Sequence, residues 1–436
     1  MRPIAMIVPA GLAFAAGGLH AQPCAADVAR PYGTLNFSDV EEYVSLFLEG
    51  NPGADIAEPT QSLNFFDIAT FIGAYAAGCP ADSDGDRIPD FAETDTGEYL
   101  GQGSTGTDPF NADTDGDGLL DGEELYGTPQ GLDLLSMGAS PFRKDIFIEC
   151  DWFAGQFIGR YRDYRPTIES VQRVVEAFAA APVLNPYGHA PGVSIHLDYG
   201  QGGAFLGGNL LPGNPAFIRF DSEFNAFKDE HFDPRRKGYF HYAIFASRYN
   251  SSTNRSSGVA EINGDDFMVT MVDYNSSYNQ SQTIVHELGH NLGLRHGGFE
   301  NRNYKPNYNS VMNYRHQFPG VDTDGDTVGN GVLGFSVGSN GAIDERSVSE
   351  PEGVLGVPVD FDGNGIIDAS PYARNLNCFG TFTAPCGSDS EGACYDSACS
   401  VLLDHDDWSS INWMRLRNSF DLVTEIKVIE CTNRPE

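Results

Sequence analysis

The sequence predicts an α+β fold, in which a mixed sheet and a buried helix follow a small helical repeat and a group of acidic loops. Three observations predict it: a duplicated helical pattern before residue 80, Asp-rich loops between residues 81 and 142, and strand-like runs from about Lys144 onward. The chain has 436 residues, of which 41% are hydrophobic, so it can form more than one folded unit with a sizeable core.

Residues 1–21 have the pattern of a signal peptide. The stretch MRPIAMIVPAGLAFAAGGLHAQ contains an early arginine, an apolar run, and small residues before a cleavage site after Ala21. The stretch is too short and too rich in glycine and alanine to be a good membrane anchor. We therefore expect a secreted protein, in an extracellular or periplasmic location, that does not insert into a membrane.

The balance of charge excludes two classes of partner. The chain has 26 Lys and Arg residues against 61 Asp and Glu residues, which gives a formal net charge of −35 at pH 7. Such a chain repels nucleic acid and anionic membranes, so we expect neither as a partner. The acidic residues form either a solubilising surface or calcium sites, and their spacing favours calcium sites.

Cysteine usage agrees with export. The chain has eight cysteines, an even number, and an exported protein meets a compartment that permits disulfides. The spacing does not define which cysteines pair, and a Cys-rich zinc site is disfavoured because no paired CxxC motif is present. Two of the cysteines, Cys24 and Cys79, bracket one module, and four cluster near the C-terminus, namely Cys378, Cys386, Cys394 and Cys399.

Residues 22–80 contain a duplicated loop and helix. Similar segments begin at Ala26 and at Ala54, 28 residues apart, and each continues from an LNF-x-D stretch into a helical pattern. The module resembles a dockerin, which implies a cohesin-like or cell-surface partner, although neither copy has the Asp-rich start of a dockerin calcium loop. A small helical packing unit is the alternative. The apolar face comprises Val40, Tyr43, Val44 and Phe47 in one copy, and Ile68, Phe71, Ile72 and Tyr75 in the other.

Residues 81–142 contain two acidic loops with the spacing of calcium sites. DSDGDRIPDFAE and DTDGDGLLDGEE each have acidic residues at positions 1, 3, 5, 9 and 12. Carboxylates at alternate positions of a tight loop converge on one hard cation, and they repel one another without it. The segment is similar to thrombospondin type 3-like repeats, which implies a spacer that calcium stiffens. The expected ligands are Asp82, Asp84, Asp86, Asp90 and Glu93, and then Asp113, Asp115, Asp117, Asp121 and Glu124.

A shorter Asp-rich stretch occurs further along the chain. DFDGNGIID has a similar alternation, but Pro371 occupies the twelfth position, where a closing carboxylate is expected. The stretch is therefore a weaker prediction of a calcium site. Its ligands would be Asp360, Asp362, Asn364 and Asp368.

Residues 143–436 are predicted to form one unit with a disulfide-rich C-terminal part. TIESVQRVVEAFAAA, residues 167–181, has a helical pattern with Thr167 as its N-cap. A second helix follows the strands and contains a cluster of histidines. The runs that predict strands are residues 145–152, 193–199, 239–246 and 266–272.

The stretch HELGHNLGLRH, residues 286–296, predicts a zinc site. On a helix, His286 and His290 project from the same face, at a separation that lets two side chains share one zinc. Glu287 lies beside them, and Gly293 permits a sharp turn that returns His296 as a third ligand. Three neutral histidines leave one position for water, whose pKa zinc lowers from about 16 towards roughly 7. Histidines on a polar helix face are the alternative.

These residues, with SVMNY further along, resemble the metzincin zinc endopeptidases, in which HExxHxxGxxH precedes a methionine-containing turn. The resemblance implies a zinc ion bound by the three histidines, Glu287 as the general base, and Met312 as the floor of the site. Tyr314 matches a tyrosine that some members use as an extra zinc ligand and oxyanion stabiliser, with simple packing as the alternative role. Looser similarity to secreted bacterial members extends through KDIFIECDWF and LLDHDDWSSINW.

The resemblance also implies how a substrate binds. In metzincins the strand before the active-site helix forms the upper rim of the cleft and pairs with extended substrate, and here that strand lies within residues 256–269. No clear Cys-switch sequence precedes this region, which leaves the mechanism of latency open.

The predicted function is a secreted, calcium-stabilised zinc endopeptidase that acts on a protein or peptide substrate. One alternative is a calcium-dependent surface or adhesion protein with a non-catalytic protease-like domain. The sequence disfavours it because every expected catalytic residue is intact. The other alternative is a zinc hydrolase that acts on non-peptide bonds.

Overall fold

The computed structural model describes most of the chain as two compact units. The first comprises residues up to 112 together with 121–135, and the second comprises 113–120 together with 136 onward. The predicted signal peptide lies outside the described residues. Within them, no helix combines the length and the apolar composition needed to cross a membrane. The described residues are 24–30, 32–57, 62–157, 159–271, 276–379, 383–387, 394–413, 416 and 427–431.

The first unit contains the two duplicated helices that the sequence predicts. α1 (Phe37–Leu48) and α2 (Phe65–Ala77) each follow an asparagine N-cap, Asn36 and Asn64. In both copies an aspartate three residues after the cap completes a capping box, which satisfies backbone donors at the start of the helix. The two copies of the repeated sequence therefore begin their helices with the same capping structure.

The two helices pack through a narrower face than the apolar pattern predicts. Tyr43 of α1 stacks on Phe71 of α2, with ring centroids 4.0 Å apart, and Leu46 is buried with them. Val44 and Ile72, which the pattern assigns to the buried face, are 48% and 59% exposed. Two short helices cover only the centre of an apolar stripe, so residues at its margin remain in solvent.

A disulfide and a short helix complete the first unit. Cys24 and Cys79 are bonded, with Cα atoms 5.4 Å apart, and the loop that they close contains both duplicated helices. α3 (Asp121–Tyr126) is buried along its whole length. Leu125 of α3 packs with Ile88 in a small apolar cluster.

The second unit is built on a six-stranded mixed sheet. β1 (Asp145–Trp152) pairs in parallel with β4 (Ser194–Asp198) on one side and with β5 (Phe240–Ala246) on the other. β5 also pairs in parallel with β7 (Asp266–Thr270). All residues of β1, β5 and β7 are buried, as is usual for parallel strands covered on both faces.

Two antiparallel strands complete this sheet. β6 (Gly258–Ile262) forms a hairpin with β7, and β10 (Lys427–Cys431) pairs with the other edge of β6. The strand order is therefore β10-β6-β7-β5-β1-β4. The segment in which the sequence predicts one rim strand thus contains two strands, because residues 263–265 form a turn between them.

Two helices lie against one another beside this sheet. α4 (Ile168–Ala179) begins at the predicted cap, Thr167, and buries Val174 and Phe178. α6 (Ser277–Asn291) contains the first two histidines of the predicted zinc site. The α+β class and the mixed sheet predicted from the sequence are therefore confirmed.

The remaining elements are short. The hairpin of β2 (Ala154–Phe157) and β3 (Arg160–Asp163) follows β1, and α5 (Glu223–His231) precedes β5. In the C-terminal part, β8 (Ile343–Asp344) pairs with β9 (Val401–Leu402), and α7 (Asp407–Ser410) follows. Two disulfides, Cys378–Cys394 and Cys386–Cys399, stabilise this part, so the predicted disulfides are confirmed.

Candidate metal centre

Helix α6 is fixed in position by its own contacts. The Ser276 side chain caps it by accepting a hydrogen bond from the backbone N–H of Asn279. The side-chain oxygen of Gln280 accepts hydrogen bonds from the Thr167 backbone N–H at 2.9 Å and from the Ser170 hydroxyl at 2.6 Å. All residues from 280 to 291 are buried. The helix is therefore held in place by contacts within the protein.

A glycine turn ends the helix and reverses the chain. Gly293 has φ = +100°, a conformation that residues with a side chain rarely adopt. Its N–H donates to the carbonyl of His290, and the N–H of Leu294 donates to the carbonyl of Gly289, both at 2.9 Å. A Cβ at position 293 would also lie 2.7 Å from Oδ1 of Asn263. Both backbone conformation and packing therefore require glycine here.

The turn brings the three predicted zinc ligands together. His286, His290 and His296 offer ligand atoms that all lie within 4.8 Å of one another. Ring centroids are 4.8 Å apart for the first and second histidines, 4.9 Å for the second and third, and 5.4 Å for the first and third. The three rings are 0%, 0% and 8% exposed. They form one buried cluster.

Backbone carbonyls define the tautomers of two of these histidines. Nδ1 of His286 lies 2.8 Å from the carbonyl oxygen of Val311, and Nδ1 of His290 lies 2.8 Å from that of Leu294. A carbonyl oxygen only accepts, so each Nδ1 carries the hydrogen and each Nε2 carries a lone pair. In zinc sites the second ring nitrogen commonly makes such a hydrogen bond, which orients the ring.

Burial keeps all three rings neutral. It lowers the pKa of His286 to about 4. Burial also lowers the pKa of His290 and of His296 well below the usual range, and the neighbouring histidines lower both further. Since an imidazole must be neutral to bind a metal, these side chains are ready to act as ligands at neutral pH.

Glu287 is buried against strand β6. Its side chain is fully enclosed, and the space that it occupies exists because residue 258 is glycine. A Cβ on Gly258 would collide with Oε1 of Glu287 and would lie 2.7 Å from its Cδ. The strand thus approaches the carboxyl group more closely than any residue with a side chain permits.

Met312 lies against helix α6 in the core. It is fully buried, and a Cβ on Gly289 would collide with its sulfur and lie 3.1 Å from the ring of Phe335. The chain turns here through the side-chain amide of Asn313, which donates to the carbonyls of Lys305 and Tyr308 at 2.7 and 2.8 Å. This turn also supplies the carbonyl of residue 311 that orients the first histidine.

Tyr314 lies beside the histidine cluster. Its ring centroid is 4.4 Å from that of His296 and 5.7 Å from that of His286. Its backbone N–H donates to Oδ1 of Asn303 at 2.9 Å, which fixes this part of the turn. The fold therefore brings the tyrosine to the three histidines, although it lies 18 residues after His296 in the sequence.

The donor set of this cluster suits zinc. Zinc binds imidazole nitrogen readily, and three protein ligands with an open position are typical of catalytic rather than structural zinc sites. Hard cations such as calcium prefer oxygen ligands and match the cluster poorly. Three buried, neutral imidazoles, two of them oriented through Nδ1, therefore fit a zinc ion.

The first acidic loop brings three of its predicted ligands together. Oxygen atoms of Asp82, Asp84 and Asp86 lie within 4.8 Å of one another. Burial, with the charge of Asp82, raises the pKa of Asp84 to about 7. The Asp90 carboxylate accepts hydrogen bonds from the backbone N–H and the hydroxyl of Ser83, at 2.7 and 2.8 Å, and so closes the loop.

A second group in the first unit combines residues of both predicted loops. Asp86, Glu93 and Asp121 are all buried and have oxygen atoms within 4.8 Å of one another. Burial, with the charge of Asp84, raises the pKa of Glu93 to about 8. The linear spacing assigns Asp121 to the second loop, whereas the fold brings it to residues of the first.

The second acidic loop has a cluster of its own. Asp113, Asp115 and Asp117 have oxygen atoms within 4.8 Å of one another, and burial raises the pKa of Asp113 and of Asp117. Oδ2 of Asp117 accepts a hydrogen bond from the backbone N–H of Asp145 at 2.6 Å. Glu124, the predicted closing residue, is buried in α3.

The weaker predicted loop is more exposed. Asp360 accepts hydrogen bonds from the N–H groups of Gly363 and Gly365, at 2.8 and 2.6 Å, and these lower its pKa. Nδ2 of Asn364 lies 3.3 Å from Oδ2 of Asp368, and the N–H of Asn364 donates to Asp362. The loop is therefore formed, with Asp360, Asp362 and Asp368 half-buried and residues 363–367 exposed.

A further loop of the same type, residues 322–330, follows the methionine turn and was not predicted. Asp322 accepts hydrogen bonds from the N–H groups of Gly325 and Thr327, at 2.7 and 2.9 Å. Asp82 accepts in the same way from the third and fifth residues after it, at 2.8 and 3.0 Å. The sequence does contain a pattern that indicates this loop, because the pentapeptide DTDGD occurs both at 113–117 and at 322–326.

In comparisons with known proteins, no family model matches the chain, and no curated protein matches it. The functional interpretation therefore depends on the chemistry of the residues themselves.

Proposed function

We propose that the second unit is a zinc-dependent endopeptidase of the metzincin type, secreted and stabilised by calcium. The observation that supports it most is the cluster of three buried, neutral histidines, formed by a helix and a glycine turn. A glutamate on the same helix and a tyrosine beside the cluster supply the other groups that peptide hydrolysis requires. The mixed sheet beside this helix is compatible with the same family.

His286, His290 and His296 would hold the zinc ion. When bound, zinc acts as a Lewis acid that lowers the pKa of water and polarises a carbonyl group. The carbonyls of Val311 and Leu294 keep two of the rings in the required tautomer. The metal ligands are therefore oriented by backbone atoms rather than by mobile side chains.

Glu287 is the proposed general base. Its carboxylate takes a proton from the attacking water and later delivers that proton to the amine nitrogen of the leaving peptide. Enclosure by β6 limits the positions that this carboxylate can adopt. A general base held in this way loses little entropy when the substrate binds.

Tyr314 is the proposed oxyanion stabiliser. Its ring lies 4.4 Å, between centroids, from that of the third histidine. A phenolic O–H in this region donates a hydrogen bond to the oxygen on which negative charge develops as the peptide carbonyl becomes tetrahedral. Because the backbone of this residue is held by Asn303, the turn limits where the hydroxyl can move.

The test of this proposal is the variant Glu287→Ala. We expect kcat/KM on a denatured protein substrate to fall by about 10²- to 10⁴-fold, the usual contribution of general acid–base catalysis. Zinc content, measured by metal analysis, should remain near that of the unmodified protein. Glu176→Ala, which replaces an exposed glutamate on α4, is the matched control and should leave both quantities unchanged.

Two outcomes would contradict the proposal. Cleavage that persists in Glu287→Ala would exclude that residue as the base, and purified protein without zinc would exclude the metal centre. A chain that binds zinc and hydrolyses no protein would favour a binding protein with an inactive protease-like unit. Rapid hydrolysis of small esters without proteolysis would favour a different zinc hydrolase.

A further inference from the structure

The outer edge of β6 is covered by the C-terminal strand of the chain itself. β10 pairs with β6 in antiparallel register, from Lys427 opposite Ile262 to Cys431 opposite Gly258. The other edge of β6 pairs with β7 at residues 258–260, so this part of the strand has a partner strand on both edges. If β10 were absent, β6 would be the edge strand of the sheet, and the backbone groups on its outer side would be open to an incoming chain. β10 occupies that position.

This edge is next to the proposed catalytic residue. Gly258, at one end of the pairing, touches the carboxyl group of Glu287. At the other end, the turn after β6 is tied to α6, because the N–H of Asn263 donates to the carbonyl of His290 at 3.0 Å. The side-chain amide of Asn291 also donates to the carbonyl of Glu261 at 2.9 Å. An extended peptide paired with β6 therefore lies beside the histidine cluster.

We propose that residues 427–431 occupy in cis the strand position of an extended peptide substrate, so that the chain that includes them is a latent form. This inference rests on the proposed function. β10 and a substrate would use the same N–H and C=O groups of β6, so binding of one excludes the other. Release of the C-terminal segment, by a cut before residue 427 or by displacement, uncovers the edge.

The covalent connection gives the internal strand an advantage over substrate. A tethered segment has an effective concentration of about millimolar when its linker is short. Occupancy of the edge depends on this effective concentration relative to the dissociation constant of the segment itself, so a strand that binds weakly when free can still cover the edge while it is attached. Once cut off and diluted, so short a strand has little affinity of its own, because an isolated strand pair is marginally stable.

The first experiment disrupts the pairing within the full chain. In an antiparallel strand, alternate N–H groups face the partner, so one of two successive residues in β10 donates to β6. The double variant Val428→Pro/Ile429→Pro removes that donor whichever residue carries it. The matched control Val428→Thr/Ile429→Thr retains both N–H groups and the β-branched side chains.

We expect kcat/KM on an unfolded protein substrate to rise about tenfold or more in the proline variant, as the tethered competitor is lost. The threonine variant should resemble the unmodified protein. Hydrogen exchange at residues 258–262 should become faster in the proline variant and remain slow in the threonine variant. Unchanged hydrogen exchange in the proline variant would overturn the proposal. Faster exchange without a rise in kcat/KM would also overturn it, provided that the unmodified protein is an active peptidase.

A second variant avoids any effect of proline on folding. A recognition sequence for a site-specific protease is inserted after residue 420, and the folded protein is assayed before cutting and after cutting and dilution. Activity should rise on cutting, and a synthetic peptide of residues 425–433 should then raise KM without changing kcat. A cut protein with unchanged activity that the peptide does not inhibit would overturn the proposal.

Failure of the proposed function gives a different result. In that case the zinc-loaded unmodified protein and all its variants hydrolyse no substrate. β10 then has no peptidase activity to inhibit, so both proposals are wrong. Hydrogen exchange at β6, and calorimetric binding of the same peptide to the proline variant, would still measure whether β10 covers this edge.

Discussion

At the level of single residues, two glycines control the position of the proposed catalytic groups. Gly293 permits the turn that returns His296 to the cluster. A Cβ at this position would disfavour the backbone conformation and would lie too close to the side chain of Asn263. Gly258 permits β6 to lie against Glu287. Neither glycine carries a functional group, yet each determines where an imidazole or a carboxylate lies.

Gly258→Ala should reduce activity, with some loss of stability because the added Cβ would also lie 2.7 Å from the backbone carbonyl oxygen of Met268 in β7. The added methyl group occupies the space of Oε1 of Glu287, so the carboxylate must move from its position. A displacement of about 1 Å near the reacting atoms can cost about 10²-fold in rate. We expect a fall of that size in kcat, with zinc content unchanged, measured on a denatured protein substrate.

The matched control is Gly341→Ala. A Cβ at position 341 meets no atom within 4 Å, so this substitution adds a methyl group without displacing a neighbour. It should leave kcat unchanged. Equal activity of the two variants would show that the contact between residue 258 and the carboxyl group has no catalytic consequence.

At the level of elements, the buried carboxylates of the acidic loops repel one another, and we expect a bound cation to relieve this repulsion. In the folded loop the pKa of Asp84 is raised to about 7 and that of Glu93 to about 8, by burial and by nearby carboxylates. In the unfolded chain both groups titrate near pH 4. The folded loop therefore binds more protons than the unfolded chain between about pH 4 and pH 8.

Without calcium, the stability of this loop should therefore fall as pH rises from 5.5 to 8. Protection factors for the amides of Ile88 and Gly122, which donate to Asp86, measure local opening. We expect lower protection at pH 8 than at pH 5.5 without calcium, and little difference with saturating calcium. The variant Asp84→Asn/Glu93→Gln should weaken this pH dependence and leave the part due to Asp86, whose pKa burial also raises well above its usual range. Protection that increases towards pH 8 in the calcium-free protein would contradict the assigned direction.

The sequence predicts local elements well because local patterns determine them. The start of α4 at Thr167 and all eight residues of β1 follow from a cap and from apolar runs. The proximity of the three histidines follows from the 3.6-residue period and one glycine. These features depend on residues close together in the chain.

Features that depend on distant residues were not predictable in this way. The pairing of β10 with β6 joins segments more than 160 residues apart, and no local pattern specifies which edge a C-terminal strand covers. Asp121 likewise joins residues of the first acidic loop, although its spacing fits the second. Such contacts depend on the tertiary fold, which a short motif does not encode.

At the level of the whole molecule, the acidic segment and the zinc site should respond separately to loss of calcium. Withdrawal of calcium from a zinc-buffered solution should increase proteolytic nicking between residues 82 and 124, because repulsion among carboxylates opens the loops. Zinc content should remain unchanged, since the proposed ligands of that metal are imidazole nitrogens and not the carboxylates of the acidic loops. Mass spectrometry of the fragments, with the Glu287→Ala protein to exclude self-cleavage, measures the effect.

Two buried strands of the sheet serve as the internal control for nicking in this experiment. Strands β1 and β5 are buried in the core, so nicking within residues 145–152 and 240–246 should be rare with or without calcium. Equal nicking rates in the acidic segment under both conditions would contradict a stabilising role for calcium there. Loss of zinc before nicking would contradict the independence of the two kinds of site.

The two C-terminal disulfides interleave, since Cys386 lies between Cys378 and Cys394, and Cys394 lies between Cys386 and Cys399. A single break in the backbone anywhere between residues 378 and 399 consequently leaves the two pieces covalently joined. Electrophoresis without a thiol reagent would report such a clipped molecule as intact. Maturation or damage in this part becomes visible only after reduction, or as the gain of one water molecule in the intact mass.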